Sequence, residues 1–157
     1  LEFRRVLFRS TNAGDGTDQN INYAVPLEIV RNVTQNLLYY YDGSNTSSIK
    51  KIVLGITPSI TNSQYIYDKT KGYGIIKETI AVDTIESNSI ASFWGLQKND
   101  TLISFIINDD EYSINRNFDI RDLILTVREN DVIKMKYVRN GSTVTTEGYT
   151  VLAADLK

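Results

Sequence analysis

Asn108-Asp109-Asp110-Glu111 is the densest run of oxygen ligands in the chain, and calcium is the ion such a run could hold. A calcium loop sets its donors at alternate positions around a central glycine. This run does neither, and it reads as a solvated turn. The stretch Asn12–Asn20 also departs from the calcium-loop pattern and reads as a surface loop. Among 157 residues there is no histidine and no cysteine. Ser-His-Asp catalysis, thiol catalysis, disulfides and most zinc chemistry are therefore closed to this chain. No nucleophile elbow of the Gly-x-Ser-x-Gly kind occurs either. The expectation is no catalytic residue, no metal and no cofactor. What remains is non-covalent recognition by backbone groups and apolar side chains.

Bulk composition narrows the partners. The formal net charge is −2 and the sequence pI about 5.2, with no basic stripe interleaved with aromatics, so nucleic acid is not expected as a partner. The longest apolar runs, "IVLGI" and "LLYYY", are far shorter than the ~20 residues of a membrane span. Residues 1–10, "LEFRRVLFRS", carry three of the arginines and are similar to a translated sequencing-adapter end. They are set aside as non-native, as such scars should be, which leaves a more acidic chain starting at Thr11.

The elements needed to position any site follow from periodicity. Ile21–Val25 is a short strand, and Pro26 suits a first helical position. Val30, Val33, Leu37, Leu38 and Tyr41 then recur at helical spacing, and Asp42-Gly43 stops the helix. The polar residues 43–50 read as a linker. "IVLGI" (52–56) is a strand or the loop entering one, and residues 57–72 form a long polar connection. "YGIIKETIAVDTI" is a β-branched strand. "ESNSIASFWGL" gives a one- to two-turn helix with Ser/Asn cap candidates. "DTLISFIIND" is a buried strand. "FDIRDLILTVREN" is a helix with Ile120, Leu123, Ile124 and Val127 on one face. "DVIKMKYV", Asn140-Gly141 and "STVTTEGYTV" make a hairpin. The class is α+β, mainly β with two or three helices.

Taken in order, these runs resemble a PDZ domain of the bacterial, circularly permuted kind, as carried by HtrA/DegP-type serine proteases. "IVLGI" resembles the carboxylate-binding loop and the start of the peptide-binding strand. "ESNSIASFWGLQKNDTLISF" resembles the stretch written P-S-A-A-x-G-L-x-x-G-D-x-I in that family. "DIRDLILTVREN" falls at the groove-lining helix, and "DVIKMKYVRNGS" at the closing hairpin. Upstream, "INYAVP" with its helix resembles the last strand and C-terminal helix of a trypsin-like β-barrel domain. One departure is Asn99, standing where the family has glycine before Asp100; asparagine is the next most tolerant residue in a left-handed turn.

The resemblance implies a domain plan and a site. Residues 11–42 would be a protease-domain remnant, 43–50 a linker, 51–152 a PDZ-like, partly open β-barrel or sandwich, and 153–157 a tail. The family's catalytic residues lie upstream of the matching segment, so the parent would be the serine endopeptidase, acting outside the cytoplasm or membrane-anchored, with further copies of itself among its partners. The site would bind a peptide by strand addition. Leu54, Gly55 and Ile56 would supply the donors and begin the edge, with Val53 beside them in the peptide-binding set, and Leu54, Ile56, Leu123 and Val127 would line a pocket for the last side chain. Lys50 and Lys51 would attract the carboxylate. Expected ligands are apolar C-termini or extended segments of unfolded proteins, together with the upstream protease domain. Two other readings stand beside this one: an adaptor module of a non-catalytic parent, and a small β protein whose groove is closed by its own 57–72 insertion.

Overall fold

The computed structural model describes residues 27–43, 48–70 and 72–157. The segment 1–10, the loop 11–20, the strand expected at 21–25, Pro26 and most of the linker lie outside the described residues. The chain divides into two units, Leu1–Ser48 and Ile49–Lys157.

In the first unit, α1 spans Leu27–Tyr40. Its sheltered stripe is Ile29, Asn32, Val33, Asn36 and Tyr40, a helical repeat of three and four. Of the expected apolar face only Val33 lies on that stripe; Val30, Leu37, Leu38 and Tyr41 are exposed. The helix ends before Gly43, whose φ of +84° leaves the helical region.

The second unit is a seven-stranded antiparallel sheet among the described residues, in the order β1 (Ile56–Asp68), β2 (Tyr73–Ile85), β3 (Thr101–Ile107), β5 (Val132–Arg139), β6 (Ser142–Thr145). Strand β4 (Asp110–Ser113) adds to β3, and β7 (Tyr149–Thr150) to β5. Two short helices accompany the sheet, α2 (Ile90–Phe93) and α3 (Asn117–Leu123). The unit is thus α+β and mainly β, with an order of elements consistent with a PDZ-like fold. Its core joins Ile80, Val82, Phe105, Val127, Ile133 and Met135, all at 1% exposure or less.

Turns are built largely on asparagine. Asn88, Asn99, Asn108, Asn130 and Asn140 all have positive φ, a region asparagine tolerates better than other non-glycine residues. At Asn99 (φ 73°) the left-handed turn survives the loss of glycine. Asp100, next in the chain, is 2% exposed. It holds the fold through a two-pronged pair with Arg139, whose Nε donates at 2.7 Å and Nη2 at 2.6 Å. The same guanidinium reaches the carbonyl of Gly95 at 2.8 Å. A buried carboxylate needs such matched donors to offset its desolvation.

Three expectations of local structure change. The "polar connection" at 57–72 is largely strand: β1 runs to Asp68 and pairs along its length with β2. Beyond Asn62 and Thr79 the ribbon's strands pair only with each other among the described residues, and Glu78 alone ties its base to the segment before α3 by donating its N–H to the Asn115 carbonyl at 2.7 Å. With water on both faces it needs no apolar/polar alternation, so the period-two signal is missing. Second, Asn108 and Asp109 form the turn, but Asp110 and Glu111 begin β4.

Third, α3 is shorter than the sequence suggests, ending at Leu123 rather than near Asn130. The Thr126 hydroxyl donates to the Leu123 carbonyl at 2.7 Å. The next backbone bonds, Leu125 to Asp122 (3.2 Å) and Thr126 to Leu123 (2.9 Å), are of the tighter i to i−3 kind. The run Ile124, Thr126, Val127 is β-branched, and such residues pack poorly against a preceding helical turn. Asp119 secures the other end by accepting from the backbone N–H groups of Asn115 and Arg116, at 2.7 and 2.8 Å. The 153–157 segment, expected as a tail, is bonded back to the start of the unit. Its 3₁₀ turn Ala153–Asp155 leads to a bridge between Leu156 and Ile52, and Lys157 and Lys51 exchange both backbone hydrogen bonds at 3.0 Å.

Candidate functional site

A groove of about 580 Å³ runs between the start of β1 and α3. One wall is the 51–58 segment. The other is made by Ile120, Arg121, Ile124 and Leu125, with Glu86 at one side.

The 51–58 segment is shaped by what its backbone already bonds. Val53 N–H donates to the Asp155 carbonyl at 3.2 Å, so the C-terminal turn braces the loop from behind. Tyr149 fixes that turn by donating its hydroxyl to Asp155 at 3.0 Å, and burial pushes its phenol pKa upward. The Leu54 carbonyl accepts from Ala91 at 2.9 Å and the Gly55 carbonyl from Glu86 at 2.8 Å. In a trans peptide the N–H of the next residue points opposite to the carbonyl. Gly55 N–H and Ile56 N–H are therefore both turned away from α2 and β2. The N–H groups of Leu54 and Gly55 have no acceptor among the described residues. Successive N–H groups presented this way form a concave donor set suited to an anion.

Gly55 makes the turn possible. Its φ is +74°, and a Cβ there would collide with Cβ of Ser89 and stand 2.6 Å from its Oγ. Ser89 cannot easily yield, since its hydroxyl caps α2 by accepting from Ser92 N–H at 3.1 Å and donates to the Glu86 carbonyl at 2.6 Å. The glycine is thus required twice, by dihedral angle and by space.

Past Gly55 the edge is open. Among the described residues β1 pairs with β2 alone and is the outer strand of the sheet, so its far side offers backbone groups to an added strand. The rim is not already filled by the chain's own 57–72 insertion, which is the ribbon itself.

The proposed residues divide as follows. Lys51, Val53, Leu54, Gly55 and Ile56 line the groove. Lys50 is exposed and does not line it. Leu123 packs against the core from partial burial, and Val127 is fully buried in the core; neither lines the groove. Because α3 stops at Leu123, Val127 has left the helix and turned inward. The groove side of this segment is instead Ile120, Arg121, Ile124 and Leu125. The i, i+4 spacing of Ile120/Ile124 and Arg121/Leu125 was visible in the sequence. Ile120 is itself buried in the core and Ile124 packs against the core from partial burial, so this pair serves core and groove wall together. Arg121, exposed and inside the groove lining, adds a cation to that of Lys51. Trp94 belongs to the core at 8% exposure.

A smaller cavity of about 340 Å³ lies beside α2, where Phe93 stacks edge-on against Tyr149 with ring centroids 5.6 Å apart. Among the described residues no cluster of His, Cys, Asp or Glu is arranged to hold a metal, and no helix is long and apolar enough to cross a membrane.

No family model matches the sequence, and no curated protein matches it. Solved structures do. The chain is similar to "HtrA-type protease AlgWS227A with decapeptide", at 18% identity and a TM-score of 0.52 over 90% of this chain and 40% of that one. It is similar to "HtrA-type protease AlgWS227A with tripeptide" at 20% identity and a TM-score of 0.50, over 90% of this chain and 42% of that one. What is shared is the fold. The chain spans about 40% of the length of these two proteins.

Proposed function

We propose that this chain is the peptide-binding part of an HtrA-like serine endopeptidase. In this reading residues 51–157 form a PDZ domain, the segment 153–157 included because it pairs with residues 51–53. Residues 43–50 are the linker, and 11–42 the end of a trypsin-like protease domain. The catalytic serine, histidine and aspartate belong to the rest of the parent, which acts outside the cytoplasm of a bacterium.

One observation carries the proposal. An outer strand begins at a glycine-built turn whose free N–H groups face a groove walled by Ile120, Ile124 and Leu125. Strand addition needs those three parts together: an open edge, an apolar wall opposite, and donors for a chain end. The extended ligand pairs with β1, its terminal carboxylate sits on the Leu54–Ile56 donors beside Lys51 and Arg121, and its last side chain lies against Ile56 and Ile124. That the similar solved proteins were obtained with a decapeptide and a tripeptide supports the same use of the fold here.

The test uses the full 157-residue chain and fluorescein-labelled hexapeptide acids with the last three positions randomised over Val, Leu, Ile and Phe. Fluorescence anisotropy should give binding in the micromolar range, about −8 kcal/mol. Ile124→Thr, which keeps the β-branched shape, should weaken it several-fold while circular dichroism shows the fold retained. Failure of the whole pool to bind would overturn the proposal.

A further inference from the structure

Pro58 stands third on the open strand and lines the groove. Two observations fix which way its backbone faces. First, the Gly55 carbonyl is held by Glu86 of the neighbouring chain segment, so Ile56 presents its N–H and carbonyl outward. Thr57 then faces β2, and Pro58 faces outward again, because backbone polar groups alternate sides along a strand. Second, Val82 is the residue opposite Pro58. It gives its N–H to Asp100 (2.9 Å) and takes its carbonyl bond from Asn99 (2.8 Å). Nothing on Val82 is left for Pro58, and the pair does not share ladder bonds. The proline therefore costs the sheet nothing, as expected where proline is tolerated on an edge. Its missing N–H falls on the rim that an added strand would use.

We infer that Pro58 removes one backbone rung from any strand added to this edge, weakening every ligand alike and leaving the terminal carboxylate to decide what binds, an inference that rests on the peptide-binding reading above. A ligand whose carboxylate sits at Leu54–Ile56 runs antiparallel to β1. Its last residue donates to the Ile56 carbonyl. Two residues earlier, its backbone meets Pro58, which can accept a hydrogen bond but cannot donate one. The ligand carbonyl at that rung is left without its partner. A chain end offsets the loss with its carboxylate on the turn donors; an internal segment has no carboxylate to do so. Beyond Ile60 the register shifts at a bulge before Asn62, so the regular rim is short and the absent rung is a large part of it.

The experiment compares the full chain with Pro58→Ala and Pro58→Val, titrating the hexapeptide acid pool and the same pool as C-terminal amides. The wild-type chain should bind the acids at least tenfold more tightly than the amides. Both variants restore an outward donor and should tighten binding of acids and amides alike, by roughly two- to tenfold for one net hydrogen bond. In ¹⁵N-edited spectra the new amide at position 58 should move downfield and become protected from exchange on binding. Acid-dependent binding that neither variant tightens would overturn the role of Pro58 and leave the peptide groove standing. Equal binding of acids and amides by the wild-type chain would overturn chain-end selection. Binding of neither pool by any of the three proteins would overturn the groove itself, and this inference with it.

Discussion

Gly55 lies directly against Ser89, with no room for a Cβ between them. The loop that aims N–H groups into the groove is therefore locked onto the cap of α2. Gly55→Ala should destabilise the unit by about 2–4 kcal/mol in urea unfolding, combining a left-handed cost of about 1–2 kcal/mol with the steric clash. Ser89→Gly should recover part of that loss in the double mutant and none of it alone. Additive losses would mean the two residues do not meet.

The segment 117–127 sends Val127 wholly into the core and shares Ile120 and Ile124 between the core and the groove wall. Val127→Ala, in the core, should cost about 2 kcal/mol of stability and alter peptide affinity only through that. Ile124→Ala and Arg121→Ala should weaken binding of the labelled acids several-fold. Arg121→Ala, on an exposed side chain, should leave the melting temperature nearly unchanged. Thermal melts beside anisotropy titrations separate these outcomes.

Asp100 is buried and Arg139 is its fork-shaped partner. The hydrogen bonds to Asp100 raise the already high pKa of Arg139, so this cation does not titrate in any usable range. Arg139→Leu strands the carboxylate and should cost about 3–5 kcal/mol. Arg139→Lys should rescue only part of this, because an ammonium cannot serve both oxygens and the Gly95 carbonyl at once. Denaturant midpoints of the three proteins check the order.

Asp122 lies one residue before the end of α3. Burial, and after it the charge of Asp119, raises its pKa. A carboxyl group with a raised folded-state pKa stabilises the fold when protonated, below its unfolded pKa of about 4. That benefit is lost as pH rises through the folded value, so at neutral pH the charged Asp122 is a liability. Asp122→Asn should melt higher than the wild-type chain at pH 7, and the difference should shrink as pH falls toward 4.

The distal ribbon should be dispensable for folding. Replacing residues 65–76 by Asn-Gly keeps the Gln64/Lys77 pair and closes it with a two-residue turn suited to a hairpin. It also keeps Glu78, which accepts from Asn117 N–H at 2.8 Å and pairs with Arg116 at 3.3 Å. The shortened chain should retain its far-ultraviolet spectrum and melt within a few degrees of the parent. A large loss would show that the ribbon packs on something beyond itself.

The sequence by itself determined what is local. The β-branched run made β2, the buried apolar run made β3 and the alternation along Val132–Arg139 made β5, the Asn140-Gly141 pair with positive φ at both positions made the last hairpin, and Ser89 made the cap of α2. The absence of histidine and cysteine excluded whole classes of chemistry before any fold was known. The importance of Gly55 was legible too, because a glycine between leucine and isoleucine has few other reasons to be there. The tertiary structure decided what depends on distant partners. Whether Leu123 and Val127 or Ile120 and Ile124 faced the groove turned on where α3 stopped, and on which side the core stood. The 57–72 stretch hid its strand because burial did not sort its side chains. Pro58 could be read as a strand-edge residue only once Val82 was seen to bond elsewhere, since a backbone's facing is set by its neighbours in space and not by the residues beside it in the chain.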